Sequence, residues 1–355
     1  MIDTHHEKKR ILIVNVNWLG DVLFSTPFIR AVKERYQDSF IAVLLHPRCS
    51  QMLERNPRID EIIIYDEEGV HRGILGKARL ILSLRKKHFD IAFLLHRSFT
   101  KALMVYLAGI PERVGYATKG RAELLTRIAE EPAEEVHKVE YVLNILNALE
   151  TGTRTIRQDE GYEFFSSAED ERSLQMILKQ HTVAEGKPLL VIVPGGNWPP
   201  KRWPQENFAA LADALIEKYQ AALVIACARK DASLASEIRA RMKHQPIVLC
   251  GELTLSQLGA LLKRADLVIA NDTGPMHIAA AVKTRVIALF GPTSPKITGP
   301  YGKGDYRVLF KNTECAVPCY EVTCPDNRCM RMILVDDVIR AADELLQDAI
   351  PTRRS

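Results

Sequence analysis

The chain has 355 residues, more than one hydrophobic core normally serves, so two domains of about 150 to 180 residues each are expected. With 47% hydrophobic and 26% charged residues it has the composition of a soluble globular protein, which excludes fibrous and disordered classes. A net charge of +4 is far from the dense basic stripe of a nucleic-acid binder, though compatible with work beside an anionic membrane surface.

The segment Met1–Arg10 precedes a strand-like run too short and too well patterned for a signal peptide, and no apolar run reaches the roughly 18 residues of a membrane span. The chain is therefore expected to act in the cytosol. Ile11 to Tyr36, ILIVNVNWLGDVLFSTPFIRAVKERY, reads as strand, loop and long amphipathic helix, a layout that usually sets a helix N-terminus under an anion. Yet Asp21 stands in that loop and would repel one. Gly20 is the loop's single glycine, so the G-x-G-x-x-G fingerprint of a dinucleotide site is missing. Asp21 either stabilises its helix start, an effect of about 0.3 to 1 kcal/mol, or is a carboxylate kept to accept a proton from a hydroxyl.

Strand-like runs follow at FIAVLL, EIIIYD and DIAFLLH, separated by helical patterns such as Ile74 to Lys87 and Phe99 to Leu107. This alternation predicts a doubly wound α/β domain with a parallel sheet. His96, Arg97 and Ser98 end the third of these runs, with Lys101 one turn later, and they suit either an anionic acceptor group or a solvated helix start. After PERVGY and the helix VHKVEYVLNILNALE comes a turn-rich charged segment, Thr151 to Glu163. The first domain is set at residues 1–175, a second at 176–334, and a closing helix within 335–355 is expected to reach back to the first.

The second domain repeats the alternation. PLLVIVPGG leads to helix Pro204–Tyr219, then AALVIAC, helix Ala232–Lys243, PIVLC, helix Ser256–Arg264, ADLVIAND, helix Pro275–Val282 and RVIALFG. The stretch after GPTSPKITGPYGKGDY reads as loop, and a helix over Val335–Asp348 closes the chain. In open parallel sheets ligands bind beyond the carboxyl ends of the strands, so the loops that follow strands carry the chemistry.

Two loops of the second domain suit an anion. VPGGNWPPKRWP combines Gly195 and Gly196, amides around Asn197 and the cations Lys201 and Arg202, with Trp198 and Trp203 as packing anchors. NDTGPMHIAAA ends a strand at Asp272, turns at Thr273 and Gly274, and starts a helix at Pro275, so that amides at Thr273, Gly274 and Met276 face the ligand. His277, taken alone, is a core histidine. LFGPTSP, one strand later, adds a second anion-friendly turn.

Of seven cysteines, Cys49, Cys227 and Cys250 lie in apolar contexts and read as small core residues. Cys315, Cys319, Cys324 and Cys329 crowd one loop with three, four and four intervening residues. A structural zinc there is conceivable, although such sites usually pair cysteines closer and across a longer gap; packing or local redox cysteines are the alternative.

NVNWLGDVLFSTP, PGGNWPPKRWP, NDTGPMHIAAA and ALFGPTSPKITGP, in this order and spacing, resemble the ADP-heptose:lipopolysaccharide heptosyltransferases, inverting glycosyltransferases of family 9. NVNWLGDV leans toward the second-heptose branch. The resemblance runs from Ile11 to about Ala342 and implies a GT-B fold, two Rossmann-like domains facing across a cleft. It implies metal-independent transfer of heptose from ADP-heptose to a lipid-anchored core oligosaccharide at the cytoplasmic face of the inner membrane, with no resident cofactor. On it Asp21 is the base and Lys201 the diphosphate contact. Gly196, Asn197, Asp272, Thr273, Gly274, Met276 and His277 lie at the donor, and Gly20, His96, Arg97 and Lys101 at the acceptor. Asn197 departs from the family's hydroxyl residue, leaving its backbone amide as the contact. Alternatives left open are a GT-B transferase with another donor or acceptor, a non-catalytic nucleotide-sugar or glycan binder, and a sugar-nucleotide epimerase.

Overall fold

The structure is a computed structural model that describes residues 8–150, 161–181, 186–311 and 313–347. Most of the turn-rich segment expected from Thr151, the first seven residues and the chain beyond Gln347 lie outside the described residues. Two compact units divide after Tyr162.

In the first unit β1 (Arg10–Val14), β2 (Phe40–Leu45), β3 (Glu61–Ile64), β4 (Ile91–Leu94), β5 (Glu112–Tyr116) and β6 (Arg127–Ala129) form one parallel sheet in the order β3-β2-β1-β4-β5-β6. β1, β2 and β4 are unbroken apolar runs because helices cover both faces of the sheet, and their interiors are buried. Helices Gly73–Lys86 and Phe99–Leu107 lie within a residue of their expected bounds. β6 was not anticipated: only three residues long, it has no periodicity to read.

The second unit repeats the topology. Its strands β7 (Leu189–Val193), β8 (Ala222–Cys227), β9 (Ile247–Cys250), β10 (Leu267–Asn271), β11 (Val286–Phe290) and β12 (Tyr306–Phe310) run in the order β12-β11-β10-β7-β8-β9. β12 corrects the reading of that stretch as loop; it is an edge strand, largely exposed, and pairs in parallel with β11. Both sheets thus place their switch point, where strand order reverses, between the first and fourth strands: β1 and β4 in one, β7 and β10 in the other.

The division after Tyr162 differs from the expected one at 175/176 because helix Ala168–Gln180 belongs wholly to the second unit. Ser167 and Asp170 form its capping box, and it packs on helix Leu255–Arg264 through a Gln257–Ser173 hydrogen bond of 2.8 Å. Phe164 fills the space where a Cβ on Gly259 would sit, 2.1 Å from its ring, so only glycine fits there. The closing helix Val335–Leu346, expected to reach back, instead buries Val338, Ala342, Leu345 and Leu346 in the core of the second unit. Lys218 donates to Asp343 across that contact at 2.6 Å.

Cys227 and Cys250, expected as separate reduced core residues, are joined in a disulfide. The register of β8 against β9 sets them side by side with Cα atoms 4.7 Å apart, within the span a disulfide bridges. No helix of the described residues is long and apolar enough to cross a membrane.

Candidate active site

At the switch point of the first unit, β1 leads into Asn15, a buried residue whose side chain donates to Ser25 Oγ at 2.7 Å and accepts from the Val16 amide at 2.8 Å. These bonds fix the turn into helix Leu19–Leu23, whose N-cap position is Trp18 and which no side chain caps. Asp21 sits in its first turn but does not cap it. Its Oδ1 instead accepts from Lys138 Nζ at 2.6 Å, with the carboxylate one quarter exposed. Lys138 opens helix Lys138–Leu143, where the preceding His137 accepts from the Val139 amide and so fixes the start of that helix. Gly20 is the second residue of the Asp21 helix.

Lys101 crosses the switch point from β4 to β1. Although only 3% exposed, it has no carboxylate in contact among the described residues: its Nζ donates to Asn17 Oδ1 at 2.7 Å and to the Asn15 carbonyl at 3.4 Å. Burial pulls its pKa from 10.5 down to about 8, against the opposing pull of Glu67 and Cys49. Asn17 in turn donates to Glu67 at 3.1 Å. His96 lies half-buried above the same strand end, accepting from the Ser98 amide at 3.1 Å. Burial, then the charges of Lys101, Arg121 and Lys119, lowers its pKa to about 4, so it is a neutral hydrogen-bonding group rather than a cation at neutral pH. Arg97 points elsewhere, pairing with Glu131 and stacking over Tyr141. The fully buried Arg121 supports this region through the carbonyls of Tyr116 and His96, while its Nη2 has no hydrogen-bond partner among the described residues.

Trp18 is more than half exposed, and the Arg48 guanidinium stacks 4.4 Å from its ring centre. Arg48 Nε also donates to the Asn17 carbonyl at 2.8 Å, tying the aromatic side chain to the loop that carries Asp21.

The second unit's switch point is built on a buried asparagine too. Asn271 donates to the carbonyls of Pro194 and Gly195 and accepts from the Trp203 amide at 3.1 Å, clamping the loop after β7 to the end of β10. Arg202 is part of this frame: it donates twice to the Gly196 carbonyl and pairs with Asp231 at 3.1 Å. Asp231 comes so close to Gly195 that a Cβ there would lie 2.7 Å from its carboxylate. Trp203 is buried and donates from its indole to the Ile333 carbonyl at 2.8 Å. Gly196 is buried in the loop, and Asn197 is exposed with its side-chain oxygen taken by Lys230.

Lys201 and Asp272 bridge β7 and β10 at 2.7 Å. Asp272 is tightly held: its Oδ2 also accepts from Thr293 Oγ1 at 2.7 Å, and His277 Nε2 lies 3.6 Å from its Oδ1. Burial raises the pKa of this carboxyl, but the neighbouring His277 and the Lys201 charge outweigh it and hold the group well below the usual carboxylate range. The carboxylate is thus spent on orienting Lys201. An ammonium has three N–H donors, so bonding Asp272 leaves donors for a second anion. Lys201 also lies 5.2 Å from the Trp198 ring centre.

Thr273 is the N-cap of helix Gly274–Ala281, extended in backbone and without a side-chain cap bond. The first-turn amides of an α-helix have no partner within the helix and favour an anion. Met276 contributes to this turn through its backbone, since its side chain is buried.

The structure brings together Lys201, Asp272, Thr273, Gly274 and His277, and, in the other unit, Lys101 and His96. It sets Arg97 apart on Glu131. Sequence reasoning missed Lys138, Asn17, Trp18 and Thr293. Thr293 lay in a quoted turn, whereas Lys138 is 117 residues from Asp21 and carries no local signal.

Cys315, Cys319, Cys324 and Cys329 line a cavity of about 50 Å³ together with Pro200, Gly291 and Pro292. Among the described residues no three His, Cys, Asp or Glu side chains are gathered to hold a metal ion. The segment braces the loops after β11 and β7: the Cys319 amide donates to the Pro292 carbonyl at 2.7 Å, and Asn327 to the Arg202 carbonyl at 3.3 Å.

Residues 77–329 match the model of glycosyltransferase family 9 (heptosyltransferase). Lipopolysaccharide heptosyltransferase 2 of Salmonella typhimurium is 32% identical over 300 residues, covering 82% of this chain and 85% of that protein. A family 9 glycosyl transferase from Veillonella parvula superposes with a TM-score of 0.88 at 26% identity, over 96% of this chain and 98% of that one. The E. coli ADP-heptose lps heptosyltransferase II superposes with a TM-score of 0.79 at 26% identity, over 96% and 99%.

Proposed function

The chain belongs to glycosyltransferase family 9, the heptosyltransferase family, and on that premise we propose that it moves heptose from ADP-heptose to the inner core oligosaccharide of lipopolysaccharide. The names of its relatives support the substrates. The observation that carries the donor side is Lys201, held by Asp272, itself bonded by Thr293, beside the uncapped start of helix Gly274–Ala281, a cation and free amides at one switch point.

An acceptor hydroxyl is a poor nucleophile until its proton leaves. Asp21 takes that proton as the hydroxyl oxygen attacks the anomeric carbon and the bond to the diphosphate breaks, inverting the centre; such general-base help is worth roughly 10²- to 10⁴-fold. The departing ADP gathers negative charge, which Lys201 and the amides of Thr273, Gly274 and Met276 stabilise. Asn197 serves through its backbone amide, and His277 acts through Asp272. Lys138 keeps the Asp21 carboxylate oriented. Lys101 and neutral His96 recognise the acceptor near Gly20, and the acceptor's lipid anchor sets the reaction at the cytoplasmic face of the inner membrane.

The test is to offer ADP-heptose, ADP-glucose and UDP-sugars with a truncated lipopolysaccharide acceptor and to follow transfer by mass spectrometry. Transfer from ADP-heptose is expected. Product from a UDP-sugar and none from ADP-heptose would overturn the donor assignment.

A further inference from the structure

Helix Gly73–Lys86 of the first unit buries Gly76, Leu80 and Leu84 against its own core. Its other side should be polar if it faced only water. Instead Ile74 is 86% exposed, Leu75 77% and Leu82 56%, with Val70 also bare in the preceding turn. Leu75, Arg79, Leu82 and Lys86 recur at spacings of four, three and four, so apolar and cationic side chains alternate along one outward stripe.

The charge around that stripe has one sign. From Arg72 to His88 the chain has six Lys or Arg and no Asp or Glu. Lys87 is paired with Glu61 at 2.6 Å. Among the described residues the other five, Arg72, Lys77, Arg79, Arg85 and Lys86, meet no carboxylate. A bare apolar tip rimmed by unpaired cations is what an interfacial helix presents to an anionic bilayer. A second copy of the same face would set these cations against one another, so self-association is the poorer fit.

We propose that this helix docks the enzyme on an anionic membrane: Ile74, Leu75 and Leu82 enter the boundary between headgroups and acyl chains while Arg72, Arg79 and Lys86 meet the headgroups. The reason for such a surface, a lipid-anchored acceptor, rests on the functional reading above, but the surface stands on its own observations.

The experiment is co-sedimentation of the full chain with phosphatidylcholine vesicles, with and without phosphatidylglycerol, at low and high salt. Wild type is expected to bind the anionic vesicles and to be released by salt. The Ile74→Glu/Leu75→Glu variant is expected to partition at least about tenfold less, and Arg72→Gln/Arg79→Gln to lose the preference for phosphatidylglycerol. These side chains are exposed, so the fold is checked by circular dichroism and unchanged ADP binding. Failure of wild type to bind anionic vesicles, or variants that bind as it does, would overturn the proposal. So would light scattering in which wild type is a dimer and the Glu variant a monomer, since the face would then join two copies. Transfer to a delipidated, soluble acceptor should be equal in all three proteins. If wild type binds vesicles but transfers no heptose, the docking surface survives and the substrate assignment fails.

Discussion

Replacing Lys101 by methionine keeps the length of the side chain and removes its charge. Holding that ammonium charged at pH 7, when burial has drawn its pKa from 10.5 to about 8, costs the folded state about 3 kcal/mol. Methionine forfeits the hydrogen bond from that charged donor to Asn17 Oδ1, worth about 1.5 to 3 kcal/mol. Lys101→Met is therefore expected to stabilise the first unit by at most about 1.5 kcal/mol at pH 7 while weakening acceptor binding. The pH dependence has a definite sign. Between pH 8 and 10.5 the unfolded chain holds a proton that the folded chain has released, so wild-type stability rises with pH across that window. The variant lacks this rise. Urea titrations read by hydrogen exchange and mass spectrometry of peptides from β1 and β4 isolate the first unit, since a two-unit chain need not unfold in one step. A variant less stable than wild type at pH 7, or a wild-type profile flat from pH 8 to 10.5, would refute the account of Lys101 as a costly buried charge.

Asp21→Asn keeps the shape of the side chain and removes the base, so kcat should fall by roughly 10²- to 10⁴-fold with ADP affinity by calorimetry unchanged; a loss under about tenfold would return Asp21 to a role at the helix start. Thr293→Val removes one of the bonds that hold Asp272 toward Lys201. Hydrogen bonds to charged groups are worth about 1.5 to 3 kcal/mol, so ADP should bind roughly tenfold or more weakly, and unaltered affinity would show that Lys201 needs no such support. Dialysis against EDTA should leave the transfer rate unchanged, and a rate restored only by an added divalent ion would mean that Lys201 and the helix amides do not carry the leaving-group charge.

Much of this was legible in local pattern. β1, β4, β7, β10 and β11 are apolar runs long enough to announce buried parallel strands, and the loops after them held Asp21, Lys101, Lys201 and Asp272. What pattern could not supply was partnership. Lys138 and Asp21, or Thr293 and Asp272, meet through the winding of the chain, and neither pair shares a helix face or a strand. Asp272 was read as lining the donor turn, yet its carboxylate faces a lysine 71 residues earlier. The Cys227–Cys250 bond likewise depends on strand register, which two separate apolar runs do not reveal. β12 failed for another reason: an edge strand in a Gly- and Pro-rich neighbourhood lacks both the burial and the length that mark a central one.

The three tryptophans supply built-in optical reporters. Trp203 is sealed in the second unit and should give a constant, blue-shifted background. Trp18 lies three residues before Asp21 under the Arg48 guanidinium, and Trp198 lies beside Lys201 and Tyr320. Each of the two proposed substrates therefore arrives beside its own indole. With Trp198→Phe and Trp18→Phe as single-colour versions, stopped-flow emission would resolve the order in which donor and acceptor bind without attaching a dye to either.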